Sequence, residues 1–423
     1  MRAGGIIANF RQSGRAQTKS PNPLKRSLSI QVPAFILVRV VLNTMIRMVY
    51  PFMPVFGRGL GVELRQLSWA LTLRSLSGVL GPFLASIGDS RGRKTGMIFG
   101  LLLFTLGAGL MAVWPSFPTF VLTLILTLAG NLTFIPSMQA YLGDRVPYRR
   151  RGLVLGLTEL GWSLAFIIGV PLVGYLIARW GWLAPFPFLS ILGFGSIILL
   201  AILLPRDARI APGSQPGVWQ NLRQVITYPP ALAGIALGFL ISGSNELVNL
   251  IFGVWLEDTF QVKVAALATA SAVIGFSELG AEVLVTSFTD WLGKRRAVAI
   301  GLVLNGLAAL ALPALGRSLS GALAGLFLLY LTFEFTLVSS IPMMTEVMPS
   351  ARATLMATFI AGTATGRALG ALLAPPLYEL GRIPGALSGL LPIALVAVGL
   401  NLGALFTLRI VRIAKVSSVA EVP

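Results

Sequence analysis

Nine ionisable residues stand inside long apolar runs of this 423-residue chain: Arg39, Arg47, Arg74, Glu159, Glu246, Glu278, Glu282, Glu334 and Arg367. Inside hydrocarbon such a charge costs about 2.5–3.5 kcal/mol on insertion scales, so it turns to a partner or to water rather than to lipid. Glu278 and Glu282 are one helical turn apart on one side of their run, and like charges so close favour sharing a proton. The chain has no His, so proton chemistry falls to carboxylates. Arg39, Asn43, Arg47 and Tyr50 follow one another at i, i+4, i+8 and i+11, within about 80° of one helix face; that face is expected to line a polar cavity. A later run repeats the arrangement with Ser242, Asn245, Glu246 and Asn249. The candidates for substrate or proton binding are therefore these nine charged residues together with Asn43, Asn245 and Asn249. The N-terminal half of the set is rich in arginine and the C-terminal half is acidic. The alternative for each charge is a structural salt bridge between helices. Glu278 and Glu282 fit that alternative only if Arg74 or Arg367 reaches them.

The runs that must position these residues dominate the composition, which is 55% hydrophobic and 11% charged with a mean hydropathy of +0.83. Soluble domains carry about 25% charge. Twelve apolar runs lie near the ~20 residues that span a bilayer, at 32–57, 66–88, 95–114, 118–143, 152–178, 183–204, 231–256, 264–288, 297–315, 318–347, 351–378 and 384–411. The fold class read from them is an all-α membrane protein of twelve transmembrane helices in two six-helix bundles, over 32–204 and 231–411. Residues 205–230, rich in Pro and Gly, read as a linker. Residues 1–31 carry six basic residues, no acid and no apolar core; they read as a disordered tail rather than a signal peptide. Residues 412–423 form a second tail.

A net charge of +18 could signal nucleic acid, but position decides against it. With both termini inside, 23 of the 33 basic residues fall in inner segments and 6 in outer loops, as the positive-inside rule demands. Both tails and the linker are thus expected in the cytoplasm of a cell that keeps this protein in its inner or plasma membrane. The absence of Cys and His removes disulfides, thiol nucleophiles, imidazole bases and the usual zinc ligands. No G-x-S-x-G elbow and no G-x-x-x-x-G-K-[ST] loop occurs. Enzymatic catalysis and ATP-driven work are not expected, nor any cofactor or metal.

Two loops are near copies. Ala85 to Met97 reads ASIGDSRGRKTGM and Thr286 to Val298 reads TSFTDWLGKRRAV, pairing Asp89, Gly92, Arg93 and Lys94 with Asp290, Gly293, Lys294 and Arg295 at an offset of 201 residues. The same offset maps Arg151 onto Arg352, Gly161 onto Gly362 and Gly169 onto Gly370, so a whole six-helix bundle is duplicated. The hexapeptides DSRGRK and DWLGKR resemble the D-x-x-G-[RK]-[RK] signature of the major facilitator superfamily. The fifth run contains GWSLAFIIGVPLVG, similar to the glycine-proline motif of family antiporters, with Val170 between Gly169 and Pro171. In the fourth run Leu126 precedes Gly130 where proton-coupled members carry an arginine.

The resemblance implies that the third, sixth, ninth and twelfth spans, which hold none of the nine charges, pack outside. It also implies that the eight loop residues form a cytoplasmic gate. The activity it implies is secondary transport of a small organic solute by alternating access, with proton-coupled efflux of amphipathic compounds as the leading mode. A proton-coupled importer of an anionic or zwitterionic metabolite is the alternative, suggested by Arg39, Arg47 and Arg74. A transport-inactive sensor or assembly factor is the alternative of another class. The partners expected are the solute, protons and the lipid bilayer, with no nucleic acid and a monomeric state.

Overall fold

A computed structural model describes residues 23–205, 218–348, 351–383 and 389–411. Residues 1–22 and 412–423 of the two tails and 206–217 of the linker lie outside the described residues. Among those described, twelve helices are long and apolar enough to cross a membrane. Helices prevail because hydrocarbon offers backbone N–H and C=O groups no partner, and a helix satisfies them within one segment.

The N-terminal half runs α1 (Pro23–Arg47), α2 (Met53–Leu60), α3 (Leu64–Ser77), α4 (Gly81–Arg91), α5 (Arg93–Val113), α6 (Phe117–Arg145), α7 (Tyr148–Leu164), α8 (Val170–Trp180) and α9 (Pro185–Leu203). After α10 (Val218–Thr227), the C-terminal half runs α11 (Pro229–Phe260), α12 (Val264–Leu292), α13 (Lys294–Leu315), α14 (Leu319–Val347), α15 (Arg352–Gly381) and α16 (Leu391–Ile410).

Local chemistry explains where these elements depart from the apolar runs. The first helix begins at Pro23, inside the segment read as a tail, and stops at Arg47, where Pro51 and Pro54 break the run expected over 32–57 and restart it as α2. The second span splits into α3 and α4 about a 3₁₀ turn, Gly78–Leu80, just before Pro82. The fifth widens into a π-turn at Ala165–Gly169, just before Pro171 and within the stretch that resembles the antiporter motif. The segment read as a linker contains α10, whose Val225 is fully buried.

The two halves repeat one packing scheme. α1 lies against α7 and α9, as α11 lies against α15 and α16; α5 joins α6 and α9, as α13 joins α14 and α16. Close approach in the first pair rests on glycine: a Cβ on Gly169 would come within 1.9 Å of Thr44 Oγ1, and one on its repeat mate Gly370 within 2.6 Å of the Gly243 carbonyl. The halves meet where α3 crosses α15 and α8 crosses α12, contacts that the 201-residue offset also interchanges. α5, α9, α13 and α16 pack against helices of their own half.

Candidate functional site

The polar face of α1 is seated on α7. Arg39 donates to the Thr158 carbonyl at 2.8 Å and to Glu159 Oε2 at 2.7 Å. One turn on, Asn43 donates to the Gly161 carbonyl at 3.1 Å and accepts from Asn131 of α6 at 3.0 Å. One turn further, Arg47 donates to the Trp162 carbonyl at 3.0 Å. All three side chains are buried. The face predicted to line a cavity therefore lines a helix interface: oxygens of α7 accept from Arg39, Asn43 and Arg47, and Asn131 of α6 donates to Asn43, with Arg39 Nε left without a partner among the described residues. Glu159 stays half-exposed, its other oxygen 3.5 Å from Gln139.

At mid-depth two links pass from one half to the other. The Arg47 guanidinium lies 3.6 Å from the Phe166 ring centroid and 4.1 Å from that of Trp162, the residues that flank the entry to the π-turn, and its second arm is ion-paired with Glu278 of α12. In the other link, Arg74 of α3 donates to the Tyr50 hydroxyl at 2.5 Å, and Tyr50 donates to Glu246 of α11 at 2.9 Å. Asn249 donates to the other oxygen of Glu246 at 3.0 Å and accepts from Tyr330 of α14 at 2.6 Å. Glu246 is thus held by two donors, whereas Glu278 Oε2 is buried with no partner among the described residues.

Glu278 and Glu282 have different partners rather than each other. Glu278 is taken by Arg47 from the opposite half, and neither Arg74 nor Arg367 pairs with it; Glu282, part-exposed, accepts from Ser163 of α7 at 3.1 Å. One turn of spacing places two acids on one side, but a cation on a facing helix outcompetes their mutual contact. Glu334 is 7% exposed and Arg367 is part-exposed; neither has a hydrogen bond or an ion pair among the described residues. Asn245 is buried with its Oδ1 unpartnered. Sequence reasoning passed over Trp162, Phe166, Ser163, Gln139, Asn131 and Tyr330; for the polar ones, their placing within apolar runs was a usable signal.

Both repeated loops tie helices within their own half. Gly92 at φ 112° and Gly293 at φ 81° take backbone conformations that favour glycine. Lys94 caps the end of α9, donating to the Ala201 and Leu204 carbonyls at 2.6 and 2.7 Å, and Arg93 lies 3.6 Å from Asp144. In the second half Arg295 donates to the Arg409 carbonyl of α16 at 3.1 Å, while Lys294 pairs with Glu346. Cations at helix C-termini also complement the helix dipole. Asp290 is exposed, and the Asp89 side chain lies outside the described residues. Hydrogen bonds and ion pairs between described residues of the two halves lie at mid-depth or toward the end away from these loops. There Arg58 meets Glu257 at 2.6 Å, and Ser68 and Thr72 donate to the Ala371 and Ala368 carbonyls at 2.6 and 3.4 Å. The molecule is closed at that far end.

The sequence profile of the Major Facilitator Superfamily matches residues 35–333. The chain belongs to this superfamily. Among relatives, it is 24% identical to the "Uncharacterized MFS-type transporter YceJ" of Bacillus subtilis (strain 168), over 84% of this chain and 91% of that one. It is 25% identical to the "Multi-drug resistance efflux pump PmrA" of Streptococcus pneumoniae, over 60% of this chain and 66% of the pump. With the "Quinolone resistance protein NorA" of Staphylococcus aureus it shares 23% identity over 48% of this chain and 54% of that protein. In structure it resembles a bacterial homolog of the human lysosomal transporter Spinster, with a TM-score of 0.66 at 15% identity, covering 93% and 95% of the two chains.

Among the described residues, the contacts that Lys94 and Arg295 make at the two loops stay within one bundle, and the links of Arg47 with Glu278, Tyr50 with Glu246 and Arg58 with Glu257 between bundles lie at mid-depth and the far end.

Proposed function

We propose that this superfamily transporter exports small amphipathic compounds by alternating access, driven by protons. One observation carries the reading: Glu282 and Glu334 reach mid-depth without a cationic partner, while Arg39, Arg47 and Arg74 are each engaged by an acid or by Tyr50. Carboxylates left without a cation suit protons and positively charged groups; with Arg39, Arg47 and Arg74 engaged, Arg367 is, among the described residues, the one membrane-depth arginine left for an acid group, which disfavours import of a purely anionic metabolite. The efflux pumps among the relatives support the same direction. The loop end is assigned to the cytoplasm of a bacterial-type plasma membrane from the bias of 23 basic residues against 6. In that orientation the far-end closure suits an inward-open state.

The test is flux. Purified protein in proteoliposomes, given an imposed pH gradient and a fluorescent amphipathic amine, is expected to move the amine against its gradient and to stop when a protonophore is added. Movement that ignores the pH gradient would overturn proton coupling; no movement of any amphipathic probe would favour the sensor or assembly role.

A further inference from the structure

Pairing off the membrane-depth charges leaves a remainder with a definite composition. Glu159 takes Arg39, Glu278 takes Arg47, and Glu246 takes Tyr50 and through it Arg74. Glu282, Glu334 and Arg367 alone of the nine stay outside an ion pair or such a relay: two acids and one base, all in the C-terminal half.

They also share a place. α12 packs on α14, and α14 on α15, so the three side chains come from adjoining helices. On α15, Gly366 and Gly370 touch α11 on one side, where Cβ atoms would lie 2.0 Å from the Phe239 carbonyl and 2.6 Å from the Gly243 carbonyl. Ala368 and Ala371 meet α3 on the other, through Thr72 and Ser68, and Ala364 meets Gly78 of the 3₁₀ turn that follows it. Arg367 falls on the arc between these two contacts, on a turn that both neighbours hold in place. That arc points inward, within electrostatic range of Glu246, Glu278 and Glu334, and Glu334 is in turn within range of Glu282. Arg367 is part-exposed and Glu282 is too, so both are open to a solute.

A solute with only an amine would leave Arg367 facing its positive charge; one with only an acid group would face two carboxylates. We propose that Glu282, Glu334 and Arg367 form a subsite for zwitterionic amphipathic compounds, the amine seated at the two carboxylates and the acid group at the guanidinium. The proposal rests on the export reading above and narrows its substrate class. Amine and proton then compete for the same carboxylates, so loading of solute and loading of protons exclude one another.

The experiment compares three probes that share a naphthyl body: 2-(2-naphthyl)ethylamine, 3-(2-naphthyl)propionic acid and 3-(2-naphthyl)alanine, which carries both groups. Binding to the purified full-length protein in detergent is measured by calorimetry, with the ligand-free melting curve as the control for folding. Naphthylalanine is expected to bind at least tenfold more tightly than either singly charged probe. Arg367→Gln should erase the preference, bringing naphthylalanine and the amine to one level without weakening the amine; Arg367→Lys should retain most of the preference; Glu282→Gln with Glu334→Gln should bring naphthylalanine down to the level of the acid. Equal binding of amine and zwitterion, an unchanged zwitterion affinity in Arg367→Gln, or no binding of any probe would overturn the subsite. Binding needs no flux, so the two readings fail separately. A zwitterion exported with no dependence on Arg367 sinks the subsite alone, and a zwitterion bound as expected but never moved sinks the export reading alone.

Discussion

Arg47 of α1 and Glu278 of α12 are ion-paired across the boundary between the two bundles, with side chains only 4% and 3% exposed. Breaking a buried pair by removing one partner costs about 3–5 kcal/mol, whereas replacing both by apolar residues of similar size is often nearly neutral. Arg47→Leu is therefore expected to lower stability by about 3 kcal/mol, and the Arg47→Leu, Glu278→Leu double variant to recover most of that loss. Denaturant unfolding in detergent measures both. Because the pair also joins the halves, the double variant should open the far end more readily. A cysteine at Ser68, itself one of the far-end contacts and 2% exposed, should then label faster in the double variant than in the parent carrying the same cysteine. A single variant as stable as the parent, with Ser68→Cys labelling unchanged in the double, would remove the pair from this role.

Gly293 offers a test of backbone strain without packing. A Cβ there would meet nothing within 4 Å, yet φ is 81° and ψ is 131°. Gly293→Ala is therefore expected to cost about 1–3 kcal/mol through conformation alone. Gly92→Ala, at φ 112° and ψ 149°, should cost a similar amount. Melting temperatures report it, and an unchanged value for Gly293→Ala would show that the turn relaxes freely.

How far the sequence predicts this molecule depends on how local the governing physics is. Hydropathy located the twelve spans because each must satisfy its own backbone in lipid. Its ends were less legible where Pro51, Pro54 and Pro171 interrupt an otherwise apolar run. The period of Arg39, Asn43 and Arg47 correctly marked one face, but not that α6 and α7 would cover it. The partner of Glu278 lies 231 residues away, and no spacing rule reaches that far; the nearer acid, Glu282, looked like the natural companion. The 201-residue repeat did carry long-range information, since it maps the α8–α12 contact onto the α3–α15 contact. It carries none about charges, for Arg47 maps onto Val248 and Phe166 onto Arg367.

Topology follows from the bias in basic residues and can be read with single cysteines, because the chain has none of its own. Gln261, in the exposed turn between α11 and α12, belongs to the far end; Trp291, 79% exposed, belongs to the loop end. In intact cells an impermeant maleimide is expected to label Gln261→Cys and to spare Trp291→Cys until the membrane is opened. The reverse pattern would invert the assignment of both tails and of the gate.

The last prediction concerns which acids carry the proton. Glu246 is fixed by Tyr50 and Asn249, Glu278 by Arg47, and Glu159 by Arg39, so neutralising any of these disturbs a structural link. Glu282 has only Ser163, and Glu334 has no hydrogen bond among the described residues. Gln resembles a protonated Glu in shape and charge, so a protein with Gln at the coupling site behaves as though permanently loaded. Glu282→Gln with Glu334→Gln is therefore expected to abolish accumulation driven by a pH gradient at near-parental stability, while gradient-independent exchange persists but needs at least tenfold more solute, because the same carboxylates seat the amine. Glu159→Gln should instead keep coupling and lose stability, by about 1–2 kcal/mol, since its carboxylate is half-exposed and anchors a buried arginine. Both are measured in the same proteoliposomes. Full gradient-driven accumulation by the Glu282, Glu334 double variant would move the proton to Glu278, whose free Oε2 is the remaining unsatisfied carboxylate oxygen at mid-depth.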